Sequence, residues 1–277
     1  MDKHIDEKQK RVQEVSLEIL REFIRICDKY QLTYFAAFGT AIGAVRHQGF
    51  IPWDDDMDVV MPRKDYDKFI EVYQKEIDDS FDVYGAEIQM KVQGFYLQMF
   101  KKGTIFMTKG NTKWELHPGI KLDIFPYDCV PMDEKSRRSL YQKTKLLNVL
   151  YIIKNVKVPY MADNGLKSKI VGFGCSVVYH ILNLTGVSRE RIVGEYLKLV
   201  KANEGKSPCR AIVNDVNPDK WVIYEDEILP LQDGVFEGIT VKLPAKNHEI
   251  LTRHYGDYMQ LPPESEQVGH DLMEIDA

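Results

Sequence analysis

Any fold for this chain must bring several carboxylates out of an apolar segment. Asp54, Asp55, Asp56 and Asp58 fall within five positions, framed by Ile51, Pro52 and Trp53 on one side and Met57, Val59 and Val60 on the other. Side chains alternate along a strand, so on an extended segment Asp54, Asp56 and Asp58 share a face. Carboxylates that converge on one point repel each other, and a dication with oxygen ligands, Mg²⁺ or Mn²⁺, relieves that repulsion. A solvated acidic turn is the plain alternative for three bare aspartates. The apolar frame argues instead for carboxylates entering a folded cleft. A calcium loop does not fit: with Asp54 as its first ligand, Val59 stands where glycine is needed and Asp65 where glutamate is needed.

With 277 residues, 44% hydrophobic and 29% charged, the chain can bury a large core without disulfides or a structural metal. Its net charge of -5 argues against a nucleic-acid partner, while leaving room for a local phosphate pocket. Cys27, Cys129, Cys175 and Cys209 form no CxxC pair, which is the usage of a reducing compartment. The opening MDKHIDEKQKR has no apolar signal region, so the expected location is cytoplasmic. His47, His117 and His270 show no zinc-ligand spacing with the cysteines.

Apolar residues at Val12, Val15, Ile19, Phe23, Ile26 and Tyr30 step by three or four, which predicts a long amphipathic helix. A strand is expected over Thr33–Phe38, then a short helical or looped piece, then a strand around Asp56–Met61. Pro62 reads as the first residue of a helix whose apolar face is Tyr66, Phe69, Ile70 and Tyr73. Strands are expected at 94–100 and 119–125, mostly helix over 132–202, a strand pair at 234–243, and a last helix from Pro244 to Gly256. The reading is an α+β fold: a mixed sheet flanked by helices in a catalytic core (1–130), a helical subdomain (131–205), and a C-terminal β/α segment (206–277) packing back on the core. The stretch Ile170–Ser188 has no Asp, Glu, Lys or Arg. Its serine, histidine, asparagine and glycines make it first a buried core helix. A helix at a membrane interface comes second, with Lys167 and Lys169 suited to anionic lipid.

Gly39-Thr40 follows the first strand, where glycine lets backbone N–H groups approach a phosphate and a hydroxyl adds a donor. Followed by a strand carrying two aspartates two apart, this matches the nucleotidyltransferase pattern, in which carboxylates from two neighbouring strands hold a metal against phosphates. Asp123, between Leu122 and Ile124, is the candidate third carboxylate beside Asp56 and Asp58.

The long segment GTAIGAVRHQGFIPWDDDMDVVMPR resembles the signature of the LicD family of phosphotransferases, and KLDIFPYD resembles its second motif. The tail agrees, with Leu229-Pro230, then Phe236-Glu237-Gly238, then YGDYMQLPPE and His270. The resemblance implies a nucleotidyltransferase-like fold. It also implies transfer of a phospho-alcohol from a CDP-linked donor, CDP-choline or a CDP-polyol, to a hydroxyl of a glycan or lipid-linked glycan precursor, with CMP leaving. It implies Mg²⁺ or Mn²⁺ held by Asp56, Asp58 and Asp123, with Asp54 or Asp123 as general base. Arg46 is expected to fork onto a phosphate, Trp53 to stack on a quaternary ammonium if it is not simply core, and His270 to reach the site. The acceptor of this family is usually built at the inner membrane face, so peripheral membrane contact is expected. Two other readings stay open: nucleotidyl transfer from an NTP, and a non-catalytic scaffold.

Overall fold

The computed structural model describes residues 7–117, 119–161, 165–215, 217–269 and 272–276. The first helix, α1 (Glu7–Tyr30), buries Val12, Val15, Ile19, Phe23 and Ile26, the stripe that its period predicts. A two-residue strand, β1 (Phe35–Ala36), leads at once into α2 (Phe38–Arg46). The expected Thr33–Phe38 strand is cut short because Phe38 turns the chain with a left-handed backbone, φ 48°. The next strand, β2 (Asp58–Pro62), begins at Asp58, and Asp54–Met57 is irregular. Pro62 ends β2 and caps α3 (Arg63–Glu76) from outside its first turn.

The strands β3 (Phe81–Gly85), β4 (Leu97–Lys101), β5 (Ile105–Thr108) and β6 (Lys121–Cys129) follow. Then come the helices α4 (Glu134–Asn155), α5 (Leu166–Leu184) and α6 (Arg189–Lys201), and the short strands β7 (Cys209–Ala211) and β8 (Ile223–Tyr224). A one-turn helix α7 (Glu225–Ile228), a hairpin β9 (Gln232–Phe236) and β10 (Ile239–Leu243), the helix α8 (Asn247–Tyr255) and a last strand β11 (Leu272–Asp276) complete the described chain.

Seven strands of the described residues make one mixed sheet, in the order β1-β2-β6-β4-β3, with β7 and β8 added along the far half of β6. Only the β2–β6 pair in it is parallel, and Asp58 is directly opposite Asp123. The fold is therefore α+β. Residues in register share a sheet face. Val59, Met61, Leu122 and Ile124 lie on one face, in the main core with α1 and α3. Phe35, Val60 and Tyr127 point the other way, under Ile250 of α8. Asp58 and Asp123 sit on that second face, at the start of β2.

A separate core joins α4, α6 and β7 through Tyr151, Tyr196 and Cys209. Its neighbour α5 departs from expectation. Only Gly172 and Leu182 of this helix are buried, so the stretch from Ile170 is not a core helix.

Candidate active site

Four elements, β2, β4, β6 and α2, converge at the Asp58 end of the sheet. The β2–β6 ladder sets Asp58 beside Asp123, and the backbone N–H of Asp123 donates to the Met57 carbonyl, 2.9 Å away, so the pairing continues upstream of the strand. Across the antiparallel neighbour β4, Gln98 pairs with Asp123, and its side-chain amide donates to Asp123 Oδ1 at 2.9 Å. Lys121, two residues before Asp123 on the same face, forms an ion pair with Asp123 Oδ2. Thr40 accepts a hydrogen bond at its Oγ1 from the Asp58 backbone N–H, 2.8 Å away, and so ties the start of α2 to the start of β2. Its hydroxyl hydrogen is left for another acceptor.

The irregular segment gathers the remaining carboxylates. Oxygens of Asp54, Asp55 and Asp56 lie within 4.8 Å of one another. Asp54 presses against the first turn of α2: a Cβ on Gly39 would lie 2.5 Å from Asp54 Oδ2. Asp55 is buried beneath the tail, where a Cβ on Gly269 would meet its Oδ2 at 2.8 Å. The carboxyl of Asp58 is held well above the ordinary carboxylate range, first by burial and then by Asp56 and Asp123, with Lys121 opposing. Burial works against the charge on Lys121, but Asp123, Tyr96 and Asp56 outweigh it and its ammonium is strengthened. Five carboxylates thus gather at this end of the sheet, a set of oxygen ligands of the kind a hard dication takes.

Asp56, Lys121 and Asp123 line a cleft of about 200 Å³ together with Gln98 and the aromatic residues Tyr96, Phe106 and Trp114. Tyr96 is fixed there by stacking on Phe125, centroids 4.8 Å apart.

The predicted residues do not all meet. Gly39, Thr40, Asp54, Asp56, Asp58 and Asp123 come together. Arg46 stands seven residues along α2 from Gly39, about 10 Å at the helical rise. Its guanidinium donates to the carbonyls of Tyr258 at 2.6 Å and Gln260 at 3.4 Å. Trp53 packs half-buried against the main core. His270 lies outside the described residues.

The tail motifs clamp the site loop. Glu237 and Gly238, both left-handed, make the β9–β10 turn. Glu237 accepts at Oε1 from the Phe50 N–H at 3.2 Å, and its own N–H donates to the Gln48 carbonyl at 2.8 Å. Glu237 and packing at Gly269 therefore fix the stretch between α2 and β2, and the carbonyls of Tyr258 and Gln260 hold the last residue of α2. Gln98 and Lys121 escaped the sequence reading, and Asp55 was named in the acidic run without a role of its own. The alternation Lys121-Leu122-Asp123 could have exposed Lys121, whereas Gln98 is visible only through strand register.

Residues 31–148 match the family model described as LicD/FKTN/FKRP, nucleotidyltransferase domain. The lipopolysaccharide cholinephosphotransferase LicD of Haemophilus influenzae is 30% identical over 268 residues, which cover 94% of each chain. This chain belongs to the LicD family. It is a transferase of the LicD type, and the matched segment holds Gly39, Thr40, the aspartates, Gln98 and Lys121. Shorter likenesses reach an uncharacterized protein of Rickettsia prowazekii, 32% identical over 71 residues, and one of Rickettsia typhi, 32% over 72. Each covers 26% of this chain, and 25% and 22% of those proteins.

Proposed function

We propose that this LicD-family transferase moves a phospho-alcohol, phosphocholine foremost, from a CDP-linked donor to a hydroxyl of a lipopolysaccharide or other cell-surface glycan precursor, releasing CMP. The observation that carries the reading is the facing pair Asp58 and Asp123 beside a cleft walled by Tyr96, Phe106 and Trp114. A quaternary ammonium is drawn to aromatic faces and to nearby carboxylates, which favours choline over a polyol. The similar Haemophilus protein is named a cholinephosphotransferase, which supports the same choice.

The donor set fits Mg²⁺ or Mn²⁺: only carboxylate oxygens, in excess, with Asp58 kept from ionising freely by burial first and then by Asp56 and Asp123. Asp56, Asp58 and Asp123 would hold it, and Asp54 and Asp55 bring further oxygens to hand. Once bound, the ion neutralises diphosphate charge and so lowers the barrier to attack. The first-turn N–H groups of α2 lack intrahelical acceptors and carry the positive end of the helix dipole, so Gly39 and Thr40 favour an anionic phosphate. Lys121 holds Asp123 in place and brings a cation to the cleft lining. Asp54 or Asp123 would take the acceptor's proton, and Lys121 and Gln98 hold the Asp123 carboxylate in position.

Donor competition tests the proposal. With CDP-choline, CDP-ribitol or an NTP offered alongside glycan acceptor, CMP is expected from CDP-choline. Phosphorus labelled next to the choline should end in the glycan. EDTA should abolish release, and Mg²⁺ should restore it. Pyrophosphate from an NTP, with the nucleotide left on the acceptor, would establish nucleotidyl transfer instead.

A further inference from the structure

The helix α5 wears its apolar side outward. Leu166, Ile170, Phe173, Val177, Ile181 and Leu184 are all exposed, from 42% for Val177 to 87% for Leu184. At about 100° per residue these six fall within roughly 80° of the helix circumference, a single unbroken stripe. The opposite side packs: Gly172 and Leu182 are buried, and a Cβ on Gly172 would touch Met161 and Val158. Lys154 on α4 donates to Asn183 Oδ1 at 2.7 Å and anchors the helix to its neighbour. The orientation is thus fixed by packing, and what it presents to the outside is hydrocarbon.

Charge around the stripe decides what covers it. Lys167 and Lys169, the only charged residues of α5, flank the stripe on its two edges, each about 40° beyond it on the same wheel. From Glu134 to Leu184 the sequence has nine Lys or Arg against two Asp or Glu. The chain as a whole is at -5, so the remainder carries twelve net negative charges against seven positive ones here. On the neighbouring α4, Leu146 and Val149 are exposed as well. A single apolar stripe edged by lysines that can reach to headgroups, in a cationic segment of an anionic protein, is the pattern of a helix lying in a membrane interface. Among the described residues no single helix is long and apolar enough to cross a membrane.

We propose that α5 docks the protein on anionic bilayers, with the stripe in the acyl boundary and Lys167 and Lys169 at the headgroups. This holds whatever alcohol the enzyme transfers. The full chain should co-sediment with vesicles of phosphatidylglycerol and phosphatidylethanolamine and much less with pure phosphatidylcholine. Binding should fall by about ten-fold or more as NaCl rises from about 0.05 to 0.5 M. The double variant Ile170→Asp/Phe173→Asp should lose binding at least about ten-fold while keeping its melting temperature and its turnover on a lipid-free acceptor. Lys167→Glu/Lys169→Glu should weaken binding to the anionic vesicles alone. Phe173→Trp should show blue-shifted emission with those vesicles and quenching by brominated lipid. Equal binding by the aspartate variant, or no vesicle binding at low salt, overturns the proposal. So does a solution dimer that Phe173→Asp converts to monomer, because a second copy then covers the stripe.

Discussion

Asp58 and Asp123 face each other across parallel strands, and every carboxylate added around them raises the free energy of the charged cluster. Removing one charge therefore relieves repulsion in the resting fold while taking away what the reaction needs. Asp58→Asn is expected to melt no lower than the parent, and Asp123→Asn, which strands the Lys121 ammonium, somewhat lower; both should release CMP at least about 100-fold more slowly, the scale of a deleted oxyanion donor. Calorimetry beside a CMP assay checks both halves, and near-parental turnover would end the assignment. Lys121→Met works the other way. It strips Asp123 of its cation, so stability should fall by about 1–3 kcal/mol in urea melts as activity drops. His254 offers a prediction away from the chemistry. Burial, then Arg253 and Lys220, push its imidazole from 6.5 down to about 4, and its Nε2 is buried without a hydrogen-bond partner among the described residues. The unfolded chain thus binds the proton first, so stability is lost as pH falls from 6.5 towards 4. His254→Gln should reduce the stability difference between pH 7 and pH 4.5 by about 2 kcal/mol in paired denaturant melts.

At the scale of elements, α2 and the loop behind it set the site. Gly39 admits Asp54 where any side chain would collide. The obstacle is the end of a side chain, so Gly39→Ala should displace Asp54 rather than unfold α2. Turnover should fall by about ten-fold or more, with a stability change of about 1 kcal/mol or less. A stability loss far larger than the activity loss would show that Gly39 serves packing alone. The carboxylate pair was legible from residues, because apolar neighbours on strands leave polar side chains one face to occupy. Arg46 was not, since a guanidinium near a phosphate motif and one tied to the carbonyls of Tyr258 and Gln260 look alike in sequence. Short strands such as β3, β5 and β7 escaped because pairing, not local pattern, makes them strands. The outward side of α5 escaped for a related reason: an uncharged stretch announces apolarity but not which side the neighbours cover. The tail motifs carried a resemblance without a reason until Glu237 was found bonded to Phe50 and Gln48.

For the whole molecule, the question is what makes the sheet core and the helical core one cooperative unit. Arg63, 1% exposed on α3, donates its Nε to Asp128 Oδ1 at 2.6 Å and Nη1 to Glu87 at 3.0 Å. Asp128 is fully buried near the end of β6, where the strand passes from the main core toward Val130 in the helical one. Asp67, also within 3.4 Å of Arg63, pairs with Lys201 at the end of α6, 2.6 Å away. The network thus runs from α3 through the sheet to the helical layer. Desolvation opposes these charges, yet the carboxylates around Arg63 hold its guanidinium more firmly charged than usual. Such a pair adds little over an apolar replacement of both partners, but removing one strands the other in the interior. Arg63→Met should therefore lower stability by about 3–5 kcal/mol, and Arg63→Met/Asp128→Leu should recover a large part of that loss. Urea unfolding read by tryptophan fluorescence and by far-ultraviolet circular dichroism should stay coincident in the parent. In Arg63→Met the two transitions should separate, as the helical layer loosens from the sheet first. If they remain coincident, the two cores are held together by apolar packing and the charged network is incidental to their coupling.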